Sequence, residues 1–298
     1  MILVNGCEVK FAQFPNGESR LVSNLSNKRE VGSIISKDSL ISIYGNEVTF
    51  KYEDDGDIAR LIMVAEHVKQ VKAPNSLVIT HMPYARMDRV PNGEPMFLRT
   101  VASIINSLEF DSVKILEPHS DVTSALIKNS VTYEVTKALF HKFREEIGFR
   151  NDIDYLVFPD TTADRRYWDI DSNIENRIVF NKHRDFKTGK IVELTTNFKG
   201  YFNNPRTAVI LDDMSSYGGT FIGVAEKLKS FGFERIILIV AHAENSIFSG
   251  KIFKTDLINM VYTTDSVMTQ QSSPHNALIM NSGKINVSTY KYFINATY

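Results

Sequence analysis

The sequence predicts an α/β protein of mainly parallel sheets flanked by helices. Short apolar runs at Leu77–Ile79, Val113–Leu116, Leu156–Phe158, Val209–Leu211 and Ile236–Val240 are rich in Val, Ile and Leu and show little polar alternation. Strands covered on both faces read this way. Segments of helical period lie between them: Ile58, Leu61, Ile62, Ala65 and Val68 recur at i, i+3, i+4, i+7 and i+10, and Phe221, Val224, Ala225 and Leu228 at i, i+3, i+4 and i+7. Gly232, just past the second pattern, is placed to cap its C-terminus. Alternating strands and amphipathic helices define parallel sheets with crossover connections.

At 298 residues the chain suits two domains of ordinary size. No low-complexity linker marks the boundary, so the order of elements sets it, giving residues 1–140 and 141–298 with the last residues able to return to the first domain. An internal echo points the same way: one apolar strand leads into Pro83–Arg89 and another into Pro159–Arg165, with Ala-Arg-Met-Asp-Arg in the first and Thr-Ala-Asp-Arg in the second.

Composition excludes several classes. The hydrophobic share is 43% and the charged share 23%, as in globular chains that bury a core. Lys+Arg 34 against Asp+Glu 35 gives a net charge of -1, which argues against nucleic acid or an acidic membrane surface as partner. Cys7 is the single cysteine, so an internal disulfide framework is ruled out and a reducing compartment fits. The start lacks the basic and apolar regions of a signal peptide, and no run approaches a membrane span, so a cytoplasmic location is expected. The seven histidines form no HExxH or Cys/His zinc spacing.

Chemistry concentrates in the stretch Val209-Ile210-Leu211-Asp212-Asp213-Met214-Ser215-Ser216-Tyr217-Gly218-Gly219-Thr220. A buried strand delivers two carboxylates to its C-terminal end, and a loop of small residues turns into a helix. In open parallel sheets ligands bind at that edge. Gly218 and Gly219 can take positive φ and turn backbone N–H groups toward a phosphate, which the helix N-terminus also favours. Asp212 and Asp213 suit sugar hydroxyls, or Mg²⁺ through water. In isolation the same stretch reads as an acidic turn capping a helix.

This loop resembles the ribose-phosphate-binding loop of type I phosphoribosyltransferase folds, and further motifs narrow the resemblance to the ribose-phosphate diphosphokinase family. Phe14-Pro15-Asn16-Gly17-Glu18 is similar to the family's nucleotide element, which implies adenine stacking on Phe14 and polar contacts from Asn16 and Glu18. Tyr84-Ala85-Arg86-Met87-Asp88-Arg89 resembles a segment that binds ATP, implying that role for Arg86, Asp88 and Arg89. Ile115-Leu116-Glu117-Pro118-His119 resembles a strand whose histidine helps bind Mg²⁺ with ATP, so His119 is implied as an ATP and metal ligand. Pro159-Asp160-Thr161-Thr162-Ala163-Asp164-Arg165-Arg166 is similar to a metal-linked or ribose-facing loop, implying Asp160 as the second such group. Asn181-Lys182-His183-Arg184 resembles the family's catalytic loop, with Lys182 and Arg184 neutralising the moving phosphoryl group.

The resemblance implies two phosphoribosyltransferase-like domains, ATP on the first and a ribose phosphate on the second, held there by Asp160, Asp212, Asp213, Ser215, Ser216, Tyr217, Gly218, Gly219 and Thr220. It implies Mg²⁺ as cofactor, transfer of pyrophosphate to the sugar's 1-hydroxyl with release of AMP, and a homo-oligomer, hexamer or dimer. A phosphoribosyltransferase and a non-catalytic regulatory homologue are the alternatives. The chain departs from the family's pattern at Met87, Val90, Glu117, Thr162 and Ala163, and most at Ser216 and Tyr217, which replace Asp-Thr in the phosphate loop. An aromatic at Tyr217 opens the acceptor to a ribose with more on its 5′-phosphate, such as ADP-ribose, beside ribose 5-phosphate itself.

Overall fold

In a computed structural model the described residues are 1–22, 41–42, 44–90, 93–184, 191–196 and 198–295, with the backbone alone for 183–184 and 191–192. They divide into two compact units, Met1–Tyr133 and Glu134–Tyr298. The division falls just before a helix and a few residues ahead of the expected boundary at 140/141. Among the described residues no helix is long and apolar enough to cross a membrane.

The first unit runs β1 (Ile2–Val4), β2 (Cys7–Glu8), β3 (Phe11–Gln13), β4 (Ser19–Leu21), β5 (Asn46–Phe50), α1 (Gly56–Lys69), β6 (Asn75–Ile79), α2 (Phe97–Ser107), β7 (Ser112–Leu116), α3 (Asp121–Leu126) and β8 (Ser130–Tyr133). Its six-stranded sheet has the order β2-β1-β5-β6-β7-β8, parallel from β5 to β8 and antiparallel at β1 and β2. β3 and β4 form a separate hairpin. Helix α1 buries Leu61, Val64, Ala65 and Val68 on the expected face. Ile62 stays on the surface and Val64 takes a core place instead, a shift of face that the short list of matching positions did not resolve.

The second unit runs α4 (Val135–Ile147), β9 (Tyr155–Phe158), α5 (Thr161–Arg166), β10 (Arg177–Arg184), β11 (Ile191–Thr196), β12 (Thr207–Ser215), α6 (Gly219–Ser230), β13 (Arg235–Ala243), β14 (Met260–Thr264), α7 (Pro274–Asn281), β15 (Ile285–Ser288) and α8 (Tyr290–Asn295). Its seven strands are ordered β11-β10-β9-β12-β13-β14-β15, and only the β10–β11 pair is antiparallel. From β9 the chain steps outward to β10 on one side, then returns to β12 on the other. A crevice therefore opens between the C-terminal ends of β9 and β12, where a parallel sheet offers its ligand site. Of the last residues, which the sequence left able to return to the first domain, the described ones pack on this unit: Tyr290 N–H donates to Asp265 at 2.7 Å and the Lys142 ammonium lies 4.0 Å from the Tyr292 ring centre.

All four apolar positions foreseen on α6 are buried. The helix ends as expected at Gly232, with φ +89°, Gly232 N–H donating to Lys229 O and Phe233 N–H to Leu228 O, the paired bonds of a Schellman motif. A Cβ on Gly232 would collide with the Phe202 carbonyl oxygen, so both conformation and space demand glycine. The internal echo does not carry into structure: Pro83–Arg89 runs as turns, whereas Thr161–Arg166 forms α5.

Gly232→Ala is predicted to destabilise the protein by more than about 1 kcal/mol, because an L-residue is strained at that φ and its methyl meets backbone. Denaturant unfolding checks it; a wild-type midpoint would show that Phe202 yields freely.

Candidate active site

Strand β12 is buried along its length except at Asp212, which keeps some exposed surface. The strand ends in the loop toward α6, and Asp160 follows the end of its neighbour β9, so the two motifs that lie about fifty residues apart in sequence meet at the crevice. Asp160 is the N-cap of α5, its Oδ1 accepting from the Thr162 and Ala163 N–H groups at 2.9 Å each. Neither Thr162 nor Ala163, where the chain departs from the family's pattern, takes a positive φ. Lys182, delivered by β10 alongside β9, pairs with Asp160 Oδ2. Burial opposes ionisation of Asp160, but the Lys182 ammonium and the two amides outweigh it and hold the carboxyl below its usual range.

The Asp212-Asp213 pair is split by its surroundings. Asp213 is buried and ion-paired to Arg166 at the end of α5, Nη1 to Oδ2 3.1 Å. Among the described residues Asp212 has no such cation of its own. Its Oδ1 accepts the Asp213 N–H at 2.9 Å. Burial, then the charges of Asp213 and Asp160, push its carboxyl well above the usual range, and the pull of Lys182 does not cancel them. Thr136 of α4 holds this stretch: its Oγ1 donates to the Asp212 carbonyl and accepts from Ala241 N–H, both at 3.1 Å, tying β12 to β13 beneath the site. Three carboxyl groups thus share two described cations, and ionisation of the third, Asp212, is disfavoured.

The loop beyond is braced from behind. Gly218 has φ +77° and is the N-cap of α6, and a Cβ there would strike Ile252. Gly219, which the sequence offered as a second positive-φ glycine, is instead the first helical residue, and a Cβ on it would meet nothing within 4 Å. Neither its backbone nor its surroundings therefore demand glycine. Ser215 is buried, Ser216 and Thr220 are half-buried, and Tyr217 is 64% exposed. The Tyr217 carbonyl accepts Lys251 N–H at 3.1 Å, and Gly250 packs so closely on it that a Cβ would clash. The backbone is fixed while the ring stands in solvent.

In the first unit Phe14 sits at the tip of the β3–β4 hairpin, 48% exposed, in a turn closed by Phe14 N–H to Glu18 O at 2.7 Å and by Glu18 N–H to Asn16 Oδ1 at 3.2 Å. Arg86 and Arg89 are exposed and Asp88 half-buried in the loop after β6, with Asp88 3.7 Å from Arg89. His119 is half-buried where the chain leaves β7. Both loops contain strained backbone: Tyr84 has φ +57° and Glu117 φ +38°. Each such residue costs about 1–3 kcal/mol, which surrounding structure must hold, and this type of strain clusters where ligands bind. The two units thus carry separate parts of the expected site. The Arg184 side chain and residues 185–190 lie outside the described residues.

Sequence reasoning missed Arg166 and Thr136. Arg166 stood inside a quoted motif, but nothing in its spacing showed that it would face Asp213; Thr136 carried no signal. Among the histidines that form no zinc spacing, His242 is buried and its Nδ1 lies 2.7 Å from Ser266 Oγ. Among the described residues no group of three or more His, Cys, Asp or Glu converges as a metal site.

These features define the class: a two-unit parallel α/β protein with an acidic, cation-paired crevice and a phosphate-type loop at a strand-order switch. No protein-family model matches the chain. Its relatives include the ribose-phosphate pyrophosphokinase of Saccharolobus solfataricus, 23% identical over 235 residues that span 77% of this chain and 74% of the relative. The enzyme of that name from Thermococcus kodakarensis is 26% identical over 241 residues, 79% of this chain and 77% of the relative. The crystal structure of phosphoribosylpyrophosphate synthetase from Mycobacterium smegmatis matches with a TM-score of 0.68 at 16% identity, covering 96% of this chain and 87% of that one. The homologues bear the name of the family that the motifs resemble, and the fold is that of the synthetase.

The raised Asp212 carboxyl yields a stability prediction. Its folded pKa lies above the unfolded value, so wild-type stability falls as pH rises from the unfolded carboxyl pKa through the folded one. Asp212→Asn removes that loss and should stabilise the ligand-free protein at pH 8 by on the order of 1 kcal/mol, with a smaller gain at acidic pH. Thermal melts at both pH values decide it; a lower Tm for the variant at pH 8 contradicts the assignment.

Proposed function

We propose that the chain is a ribose-phosphate diphosphokinase-type transferase, moving the pyrophosphoryl group of ATP onto the anomeric 1-hydroxyl of a ribose phosphate and releasing AMP. The observation that carries this reading is the crevice of the second unit, where Asp160, Asp212 and Asp213 meet Lys182 and Arg166 beside the phosphate-type loop. The pyrophosphokinase homologues support it. A phosphoribosyltransferase would share the sugar loop, but it has no use for an aromatic at Phe14 together with Arg86 and His119 on a second unit. A regulatory homologue would not need Lys182.

Phosphoryl-type transfer asks a protein mainly for position and charge. Asp212 is suited to bond sugar hydroxyls, being the carboxyl without its own cation among the described residues, while Arg166 pairs the charge of Asp213. The amides of the Gly218–Thr220 turn and the start of α6 receive the sugar's phosphate. Arg86, with Asp88 and Arg89, holds the ATP phosphates as a planar cation can, and Phe14 offers its ring to adenine. Lys182 neutralises Asp160 at rest and exchanges to the phosphoryl oxygens as charge gathers on them. The carboxyl oxygens of the crevice are hard donors of the kind Mg²⁺ takes, and Asp160 on the second unit and His119 on the first would each serve as a protein ligand; bound with the nucleotide, the ion would neutralise phosphate charge and polarise the reacting phosphorus. A homo-oligomer in the cytoplasm completes the reading.

Incubation with ATP, Mg²⁺ and a ribose phosphate should yield AMP and not ADP, and EDTA should abolish it. Lys182→Ala should lower kcat at least about 10²-fold with modest change in ATP binding, since the cation acts on transition-state charge. Formation of ADP, or near-normal turnover in the variant, contradicts the mechanism.

The acceptor follows from Tyr217. Its backbone is locked by Lys251 and Gly250 while the ring is exposed, so the ring offers a flat face beside the phosphate turn instead of a short hydroxyl. An acceptor whose 5′-phosphate bears an aromatic group, ADP-ribose being the simplest with a free anomeric hydroxyl, gains a stacking partner there. kcat/KM for ADP-ribose should exceed that for ribose 5-phosphate, and Tyr217→Thr should reverse the order. Equal or higher kcat/KM for ribose 5-phosphate in the wild type removes the extended acceptor and leaves the transfer reaction standing.

A further inference from the structure

Asp55 occupies the N-cap position of α1, where an aspartate ordinarily accepts a backbone N–H of its own helix, yet its side chain makes no capping bond. Its carboxylate turns to two phenols instead. Tyr52 Oη donates to Asp55 Oδ1 at 2.6 Å, and Tyr84 Oη donates to the same oxygen. The two donors hold this exposed carboxyl below its usual range. The Tyr84 ring is wedged in a row, its centre 6.2 Å from that of Tyr52 and 4.6 Å from that of Phe97 at the start of α2. Tyr84 is also the residue strained at φ +57°, and its carbonyl accepts Met87 N–H at 2.8 Å, which closes a turn with Arg86 inside it.

A non-glycine residue stays at such a φ only where its surroundings over-determine it. Met82 and Ala85 on either side are buried in the core, and Ala85 N–H donates to Met82 O at 3.3 Å, whereas Arg86 beyond them is exposed. The Tyr84 side chain adds to that hold, fixed at its hydroxyl by Asp55 and along its ring by Tyr52 and Phe97. We propose that Asp55, braced by Tyr52, is a positioning residue for Arg86: it anchors Tyr84 and so keeps the strained turn in the one conformation that presents the Arg86 guanidinium to a nucleotide's phosphates. This rests on the nucleotide role given to Arg86 above. The forgone cap is the sign of it, because a carboxylate serving only helix stability would bond its own amides.

The test is ATP affinity of the intact protein by isothermal titration, with kcat at saturating ATP, for wild type, Asp55→Ala, Asp55→Asn, Arg86→Ala and the double variant Asp55→Ala/Arg86→Ala. Asp55→Ala should weaken ATP about tenfold while kcat stays within about twofold, a loss in binding and not in chemistry. Asp55→Asn, which keeps an acceptor oxygen, should recover most of the affinity. In the Arg86→Ala background the Asp55 substitution should add less than about twofold, because the two act as one unit. Tyr84→Phe, which removes only the anchoring hydroxyl, should reproduce the Asp55→Ala loss and serves in its place should that variant not fold. Unchanged affinity in both Asp55→Ala and Tyr84→Phe, or losses that multiply independently with that of Arg86→Ala, overturns the anchor alone. Wild-type ATP affinity in Arg86→Ala overturns the nucleotide role of Arg86, and the anchor with it.

Discussion

Three carboxylates at the carboxyl edge of one sheet share two described cations, and the second unit is arranged around that imbalance. Asp160 and Asp213 are each satisfied, by Lys182 and Arg166, while Asp212 lies beneath the loop with its charge opposed by both neighbours. Bringing like charges this close costs stability in the empty protein. The fold sustains the cost through a continuous buried sheet: β12 is covered from Thr207 to Leu211, and Thr136 pins its end to β13. A ligand with hydroxyls and a cation at that point relieves what the apo site stores, so the same arrangement that weakens the empty fold strengthens the loaded one.

The first unit stores cost in a different form. Its loops after β6 and β7 contain Tyr84 and Glu117, both in the left-handed region, and Arg86 and His119 follow two residues later in each case. Strain of this kind sets direction: a residue just past a left-handed turn leaves the sheet edge at a fixed angle. Electrostatic imbalance in one unit and backbone strain in the other are two ways of paying in advance for the geometry that a phosphoryl transfer needs.

Much of this was legible in the sequence. Every apolar run read as a strand lies in one, because unbroken Val, Ile and Leu admit few alternatives, and α6 with its Gly232 terminus follows from period and one glycine. The carboxylates of the crevice were visible as motifs. What was not legible is who pairs with whom. Arg166 reaches Asp213 only because α5 is short and turns its last residue back over β12, and Lys182 reaches Asp160 only because β10 runs beside β9, a strand order that sequence distance does not reveal. Gly218 and Gly219 look alike in sequence, but one turns the chain and the other starts a helix. Asp55 looks like an ordinary cap, and only the structure shows its carboxylate given to Tyr52 and Tyr84.

The central claim is that this crevice receives the acceptor sugar. The most direct test is titration of the intact protein with ribose 5-phosphate and, separately, ADP-ribose in the absence of ATP, for wild type, Asp212→Asn and His119→Ala. The account predicts a binding heat with at least one sugar in the wild type, kept in His119→Ala and lost or weakened at least about tenfold in Asp212→Asn, the size expected when a charged hydrogen-bond acceptor is removed. Undiminished sugar binding by Asp212→Asn would contradict it.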